Sequence, residues 1–111
     1  MTELTGKRVL ITGSKGGIGF AIAKKFAEAG AELVLHARNE SPEFIEAKTK
    51  LSKLSMADIS GVFGDFSNQD ACKQIFETLM EDQKTVDVLV NNAGTQTLSA
   101  LTDMSGTKVR E

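Results

Sequence analysis

The sequence predicts a doubly wound α/β fold, a parallel sheet with helices on both faces, and three observations carry that expectation. Short apolar runs alternate with segments of helical periodicity, strand first, along the 111 residues. The runs lack the in–out alternation of a half-exposed strand, which suits strands covered on both faces. Gly13, Arg38, Asp65 and Asn91 fall at or just after the carboxyl ends of successive runs. In sheets of this kind ligands bind beyond those ends, where the strand order reverses.

The elements follow in order. Arg8-Val9-Leu10-Ile11-Thr12 is a β-branched and apolar run that stops at Gly13. From Ile18, the apolar positions Ile18, Ile22, Phe26 and Ala29 predict one helix face, with Lys24, Lys25 and Glu28 on the others. Gly30 sits where a left-handed C-terminal cap is expected. Leu33-Val34-Leu35 forms the second strand and fades at Arg38-Asn39. Ser41 then reads as an N-cap with Pro42 at the first helical position. Phe44, Ala47, Leu51 and Leu54 keep helical spacing after it. Ile59 to Phe66 is a weaker strand, broken by Gly61 and Gly64. A third helix is predicted from about Gln69 to Asp82, with Cys72, Ile75, Phe76, Leu79 and Met80 inward. Val86 to Val90 is the fourth strand, and residues 95–111 are expected to form an irregular tail. Such alternation implies right-handed parallel βαβ units in a single domain over residues 1–111.

Composition bounds the function. With 41% hydrophobic and 25% charged residues and a formal net charge of -2, the chain reads as an ordinary globular domain. The 13 basic residues are spread along it and leave no footprint for nucleic acid. No apolar run approaches the ~20 residues of a membrane helix, and Met1-Thr2-Glu3-Leu4-Thr5 does not resemble a secretory signal. The single cysteine, Cys72, suits a reducing cytoplasm, which is the expected location. No metal ligands are assigned. His36, the only histidine, is read as structural, because no partner acid lies near it in sequence.

Thr12-Gly13-Ser14-Lys15-Gly16-Gly17-Ile18-Gly19 joins the first strand to the first helix. Such a loop needs one glycine to turn, one to let backbone approach a ligand, and one to let the helix pack on the strand. N–H groups at the helix start then face an anion, helped by the helix dipole. A glycine-rich turn that holds nothing is the plain alternative, and the strand-to-helix setting argues against it. Lys15 to Gly19 also resembles the deviant phosphate-binding loop of some ATPases. Those loops continue with Lys and then Thr or Ser, whereas Phe20 and Ala21 stand here.

The spacing of Thr12, Gly13, Gly17 and Gly19 resembles instead the short-chain dehydrogenase/reductase family. Asp65-Phe66-Ser67 after the third strand and Asn91-Asn92-Ala93-Gly94 after the fourth strengthen the likeness. The resemblance implies a Rossmann-like domain whose cofactor contacts come from Gly13, Ser14, Lys15, Gly17, Ile18 and Gly19 at the pyrophosphate. It also implies Asp65 and Phe66 at the adenine, and Asn92, Ala93 and Gly94 along the ribose and nicotinamide. Dinucleotide folds that prefer NAD usually carry an acid at the end of the second strand. Here His36-Ala37-Arg38-Asn39 has none, and the Arg38 guanidinium suits a 2′-phosphate, with Lys15 as a second charge. NADP(H) is therefore expected over NAD(H).

The family transfers hydride between nicotinamide and a carbonyl or alcohol, using a Tyr, a Lys and a Ser beyond the fourth strand. This sequence has no tyrosine. The expectation is a cofactor-binding portion, truncated before those residues and inactive alone, from an oxidoreductase similar to 3-oxoacyl, steroid or sugar reductases. A non-catalytic dinucleotide-binding or regulatory module and a non-functional remnant are the alternatives. Without later elements the fourth strand would be an exposed apolar edge, so self-association is expected.

Overall fold

The computed structural model describes residues 3–13, 17–81 and 85–92. Seven elements alternate along it. They are β1 (Arg8–Ile11), α1 (Gly17–Glu28), β2 (Glu32–Ala37), α2 (Pro42–Ser52), β3 (Ile59–Phe63), α3 (Gln69–Met80) and β4 (Val88–Val90). The strands form one sheet in the order β3-β2-β1-β4, and each neighbouring pair runs parallel. The chain therefore builds outward from β1 through β2 to β3, then returns to place β4 on β1's other side.

Alternate strand residues face opposite cores, which explains the missing in–out pattern. Val9, Ile11, Leu33 and Leu35 pack with Ala23 and Ala27 of α1 and with Phe44 and Leu51 of α2. Leu10, Val34, Val62 and Leu89 point the other way, onto Cys72, Ile75 and Leu79 of α3. A strand apolar on both faces can only be buried between two helical layers. Arg8 opens β1 yet is only 7% exposed. Its Nη1 donates to the Leu79 carbonyl at 2.8 Å, and its Nε lies 3.4 Å from a Glu32 carboxylate oxygen, tying α3's end to the sheet.

The helix starts follow the local chemistry. Ser41 caps α2 by accepting from the Phe44 N–H, and Asn68 caps α3 by accepting from the Ala71 N–H. Gly30, with φ of 89°, closes α1 as expected.

Three expectations need correction. The expected face of α1 was Ile18, Ile22, Phe26 and Ala29, but the fully buried residues are Gly19, Ala23 and Ala27. Ile18 is 73% exposed, and Ile22 and Phe26 pack at the core's margin. The small residues face the sheet because the helix starts so close to it that nothing larger fits. The third strand ends at Phe63 rather than Phe66, since the backbone turns at Gly64 (φ 155°). Leu54 lies beyond the end of α2 and is exposed.

Candidate functional site

The site grows from the point where the sheet reverses, between the carboxyl ends of β1 and β4. Thr12 is fully buried, and its N–H and hydroxyl both reach the Val90 carbonyl, at 3.1 and 3.3 Å. The chain then turns at Gly13, whose φ of 61° favours glycine. Two side chains from flanking strand ends pin this residue's backbone. The Gly13 N–H donates to His36 Nδ1 at 3.1 Å, and its carbonyl accepts from Asn92 Nδ2 at 3.0 Å.

α1 starts against this turn. A Cβ on Gly19 would lie 2.3 Å from the Gly13 carbonyl oxygen and 2.8 Å from Asn92 Nδ2. Only hydrogen fits there. Gly17 has φ of 60° with open space around its Cα, so its requirement is conformational rather than steric. Gly17 and Ile18 are exposed at the amino end of α1, where N–H groups lack intrahelical partners.

A second part of the site lies beyond β2 and β3. Arg38 Nη2 donates to Asp65 Oδ2 at 2.9 Å, and both side chains are well exposed. Asp65 Oδ1 accepts from the Ser67 N–H at 2.9 Å and from its hydroxyl at 2.7 Å. Those two donors, and then the Arg38 charge, hold the Asp65 carboxyl below its ordinary range. Around the pair is an open cleft of about 370 Å³, lined further by Asn39, Gly64, Asn68 and Gln74.

His36 joins the two parts. It is 3% exposed, it accepts from Gly13, and its Nε2 donates to the Gly64 carbonyl at 2.8 Å. Its ring lies 4.4 Å from that of Phe66. The reading of His36 as structural thus agrees with its burial. Two of its partners are backbone groups of distant turns, which leave no mark in sequence.

The sequence-predicted residues therefore divide. Gly13, Gly17, Ile18, Gly19 and Asn92 meet at the first turn, and Arg38 and Asp65 meet at the second. The Phe66 side chain instead packs into the core beneath His36. Ser14, Lys15, Ala93 and Gly94 lie outside the described residues. The Arg38–Asp65 pairing was open to inference, since both residues stand just past the ends of neighbouring parallel strands.

A glycine turn at the reversal point of a doubly wound parallel sheet, opening directly onto a helix, defines the Rossmann-like class of nucleotide-binding folds. The comparisons with known proteins are narrower. The family described as short chain dehydrogenase matches residues 7–111, and the chain belongs to that family. It is 39% identical over 102 residues to the Glucose 1-dehydrogenase of Gluconobacter oxydans (strain 621H), covering 92% of this chain and 38% of that protein. The L-sorbose reductase of Gluconobacter frateurii, solved with NADPH and L-sorbose, superposes with a TM-score of 0.75. That match has 36% identity and covers 86% of this chain and 36% of the reductase. The NADH-dependent reductase A1-R′, solved with NAD, superposes at 0.67 with 30% identity, covering 77% of this chain and 35% of its own. The chain thus spans between a third and two fifths of the length of these relatives.

Proposed function

We propose that this chain forms the cofactor-binding portion of an NADP(H)-dependent oxidoreductase acting between alcohols and carbonyls. The observation that carries the reading is the pairing of a pinned glycine turn at the sheet's reversal point with Arg38, rather than an acid, closing β2. Gly17, Ile18 and Gly19 present N–H groups to a pyrophosphate, and the missing Cβ of Gly19 lets α1 seat against the turn. Asn92 holds the Gly13 carbonyl by donating to it.

Arg38 is the selective group. Its pair with Asp65 is exposed and screened by solvent, so a 2′-phosphate displaces it at little cost. A guanidinium offers that phosphate a fork of donors, whereas NAD presents only a hydroxyl there. When bound, nicotinamide supplies or accepts the hydride. The 111 residues contain no tyrosine. If the reaction follows the family's tyrosine chemistry, its proton donor belongs to sequence outside them. Ser14, Lys15, Ala93 and Gly94 are assigned to the same site by the family's pattern, and Asp65 and Phe66 to the adenine side, Phe66 through its backbone.

Among the described residues β4 ends the sheet on one side, and an apolar strand there is a template for a further strand, from this protein or a second copy. The buried thiol of Cys72 is compatible with the cytoplasm.

Isothermal titration with NADPH and NADH, on the chain and on Arg38→Ala, tests the assignment. The expected result is saturable binding that favours NADPH, with Arg38→Ala weakening NADPH by about ten- to a hundredfold and NADH little. Equal affinities for the two cofactors, unchanged by the substitution, would contradict it.

A further inference from the structure

One imidazole spans the two turns that frame the site, and hydrogen-bond chemistry fixes its state. The Gly64 carbonyl can only accept, so His36 Nε2 must carry a proton. The Gly13 N–H can only donate, so Nδ1 must be bare. Of the three protonation forms of histidine, one satisfies both contacts. The other neutral tautomer sets donor against donor at Gly13 and acceptor against acceptor at Gly64. The doubly protonated ring keeps the Gly64 contact but points an N–H at the Gly13 N–H, 3.1 Å from its nitrogen.

We infer that His36 is the positioning residue of the glycine turn, and that it holds the turn for the cofactor only as the neutral ring protonated on Nε2. Acidification therefore weakens dinucleotide binding through the loss of this one acceptor. This rests on the proposal that the turn binds a dinucleotide, and it deepens that proposal by naming what fixes the turn. Among the described residues, Asn92 takes the Gly13 carbonyl and His36 takes its N–H.

The surroundings favour the neutral form. Burial lowers the proton affinity of His36 from its ordinary value, while the Gly64 carbonyl and the Asp65 carboxylate act in the opposite sense. Asp65 sits on the turn after β3 and is itself shared with Arg38 at the end of β2. From α3, Asp70 lines the neighbouring cleft with Gly64 and Asp65, and the buried thiol of Cys72 donates to the Phe66 carbonyl and is kept protonated by its burial. Among the described residues, the segment just after β1 places the neutral Thr12 and Gly13 at this end.

Two measurements on the full chain test this, with NADP⁺ as the acid-stable probe. In the first, ¹⁵N chemical shifts of the His36 ring are followed against pH with no ligand present. Nε2–H with a bare Nδ1 at neutral pH, and a Gly13 amide that moves with the ring's titration, are expected. A ring protonated on Nδ1 overturns the inference whatever the binding data show. In the second, NADP⁺ affinity is measured from about pH 7.5 to about pH 5 for the chain, His36→Asn and His36→Leu, each checked for folding by circular dichroism. Asparagine places an oxygen near the Nδ1 position and does not titrate.

The chain should lose about tenfold more affinity than His36→Asn over that range, the ionisation of the 2′-phosphate being common to both. His36→Leu should bind at least about tenfold more weakly at neutral pH while remaining folded. The same pH slope in the chain and in His36→Asn overturns the positioning role. No NADP⁺ binding by the chain at any pH overturns the cofactor reading and the positioning role with it. The ring shifts distinguish that failure from a failure of the contacts themselves.

Discussion

Gly13 and Gly19 show how far one missing side chain can be specified by its neighbours. In a helix, alanine in place of glycine ordinarily stabilises by about 1 kcal/mol. At position 19 the added methyl would meet a backbone carbonyl oxygen at 2.3 Å, and a carbonyl held by Asn92 cannot move aside cheaply. Gly19→Ala is therefore expected to lower stability by about 1–3 kcal/mol in urea unfolding, against the helix trend. Asp65 offers a second test at this scale. Its carboxyl titrates low because of the Ser67 N–H first, the Ser67 hydroxyl next and Arg38 after them. A folded value below the unfolded one means that its contribution to stability is present above the ordinary carboxylate range. That contribution is lost as the pH falls through the folded value. Ser67→Ala removes the hydroxyl donor, so NMR titration of Asp65 should show its pKa moving up towards the ordinary value. The glycines were legible in sequence, because a φ near +60° and a forbidden Cβ leave few other residues possible. The seat of Phe66 was not, since the preference of its ring for the buried face of His36 is a tertiary contact.

At the scale of elements, the strands and helices were readable from local signals. Unbroken apolar runs marked β1 and β2, Ser41-Pro42 marked the start of α2, and Gly30 marked the end of α1. The face of α1 was misread for a physical reason. Periodicity arguments weight large side chains, whereas the glycine turn brings the helix so near the sheet that Gly19, Ala23 and Ala27 must face inward. Isoleucine and phenylalanine then fill the flanks, and Ile18 projects into solvent. Ala23→Leu should accordingly destabilise by about 1–3 kcal/mol through overpacking. Ile18→Gln should change the unfolding free energy by less than about 0.5 kcal/mol. A larger loss from Ile18→Gln than from Ala23→Leu would restore the face that periodicity suggested. β3 was legible only in part, since Gly61 breaks its apolar run. That glycine lies beneath the Phe44 ring, 2.8 Å from where its Cβ would be, a constraint set by a different element.

At the scale of the molecule, the sheet order β3-β2-β1-β4 gives the site its place. Reversal at β1 separates the first turns of the two halves and leaves the crevice that the glycine turn and Asn92 line. His36 and the Arg38–Asp65 pair extend that crevice across the ends of β2 and β3. The sequence carried the alternation of elements, and so the class of fold, and it carried the strand-end residues that form the candidate site. It did not carry the backbone contacts of His36, which exist only once two turns distant in sequence are brought together by the parallel sheet. This crevice, rather than the groove of about 540 Å³ between α2 and the edge strand β3, is the proposed dinucleotide site. The most direct test is an amide chemical-shift titration of the ¹⁵N-labelled chain with NADPH. Saturable shifts centred on Gly13, Gly17, Ile18, Gly19, Arg38, Asp65 and Asn92 are expected. Shifts centred instead on Phe44, Ile45, Lys48 and Thr49, or no shifts from a folded chain, would contradict that assignment.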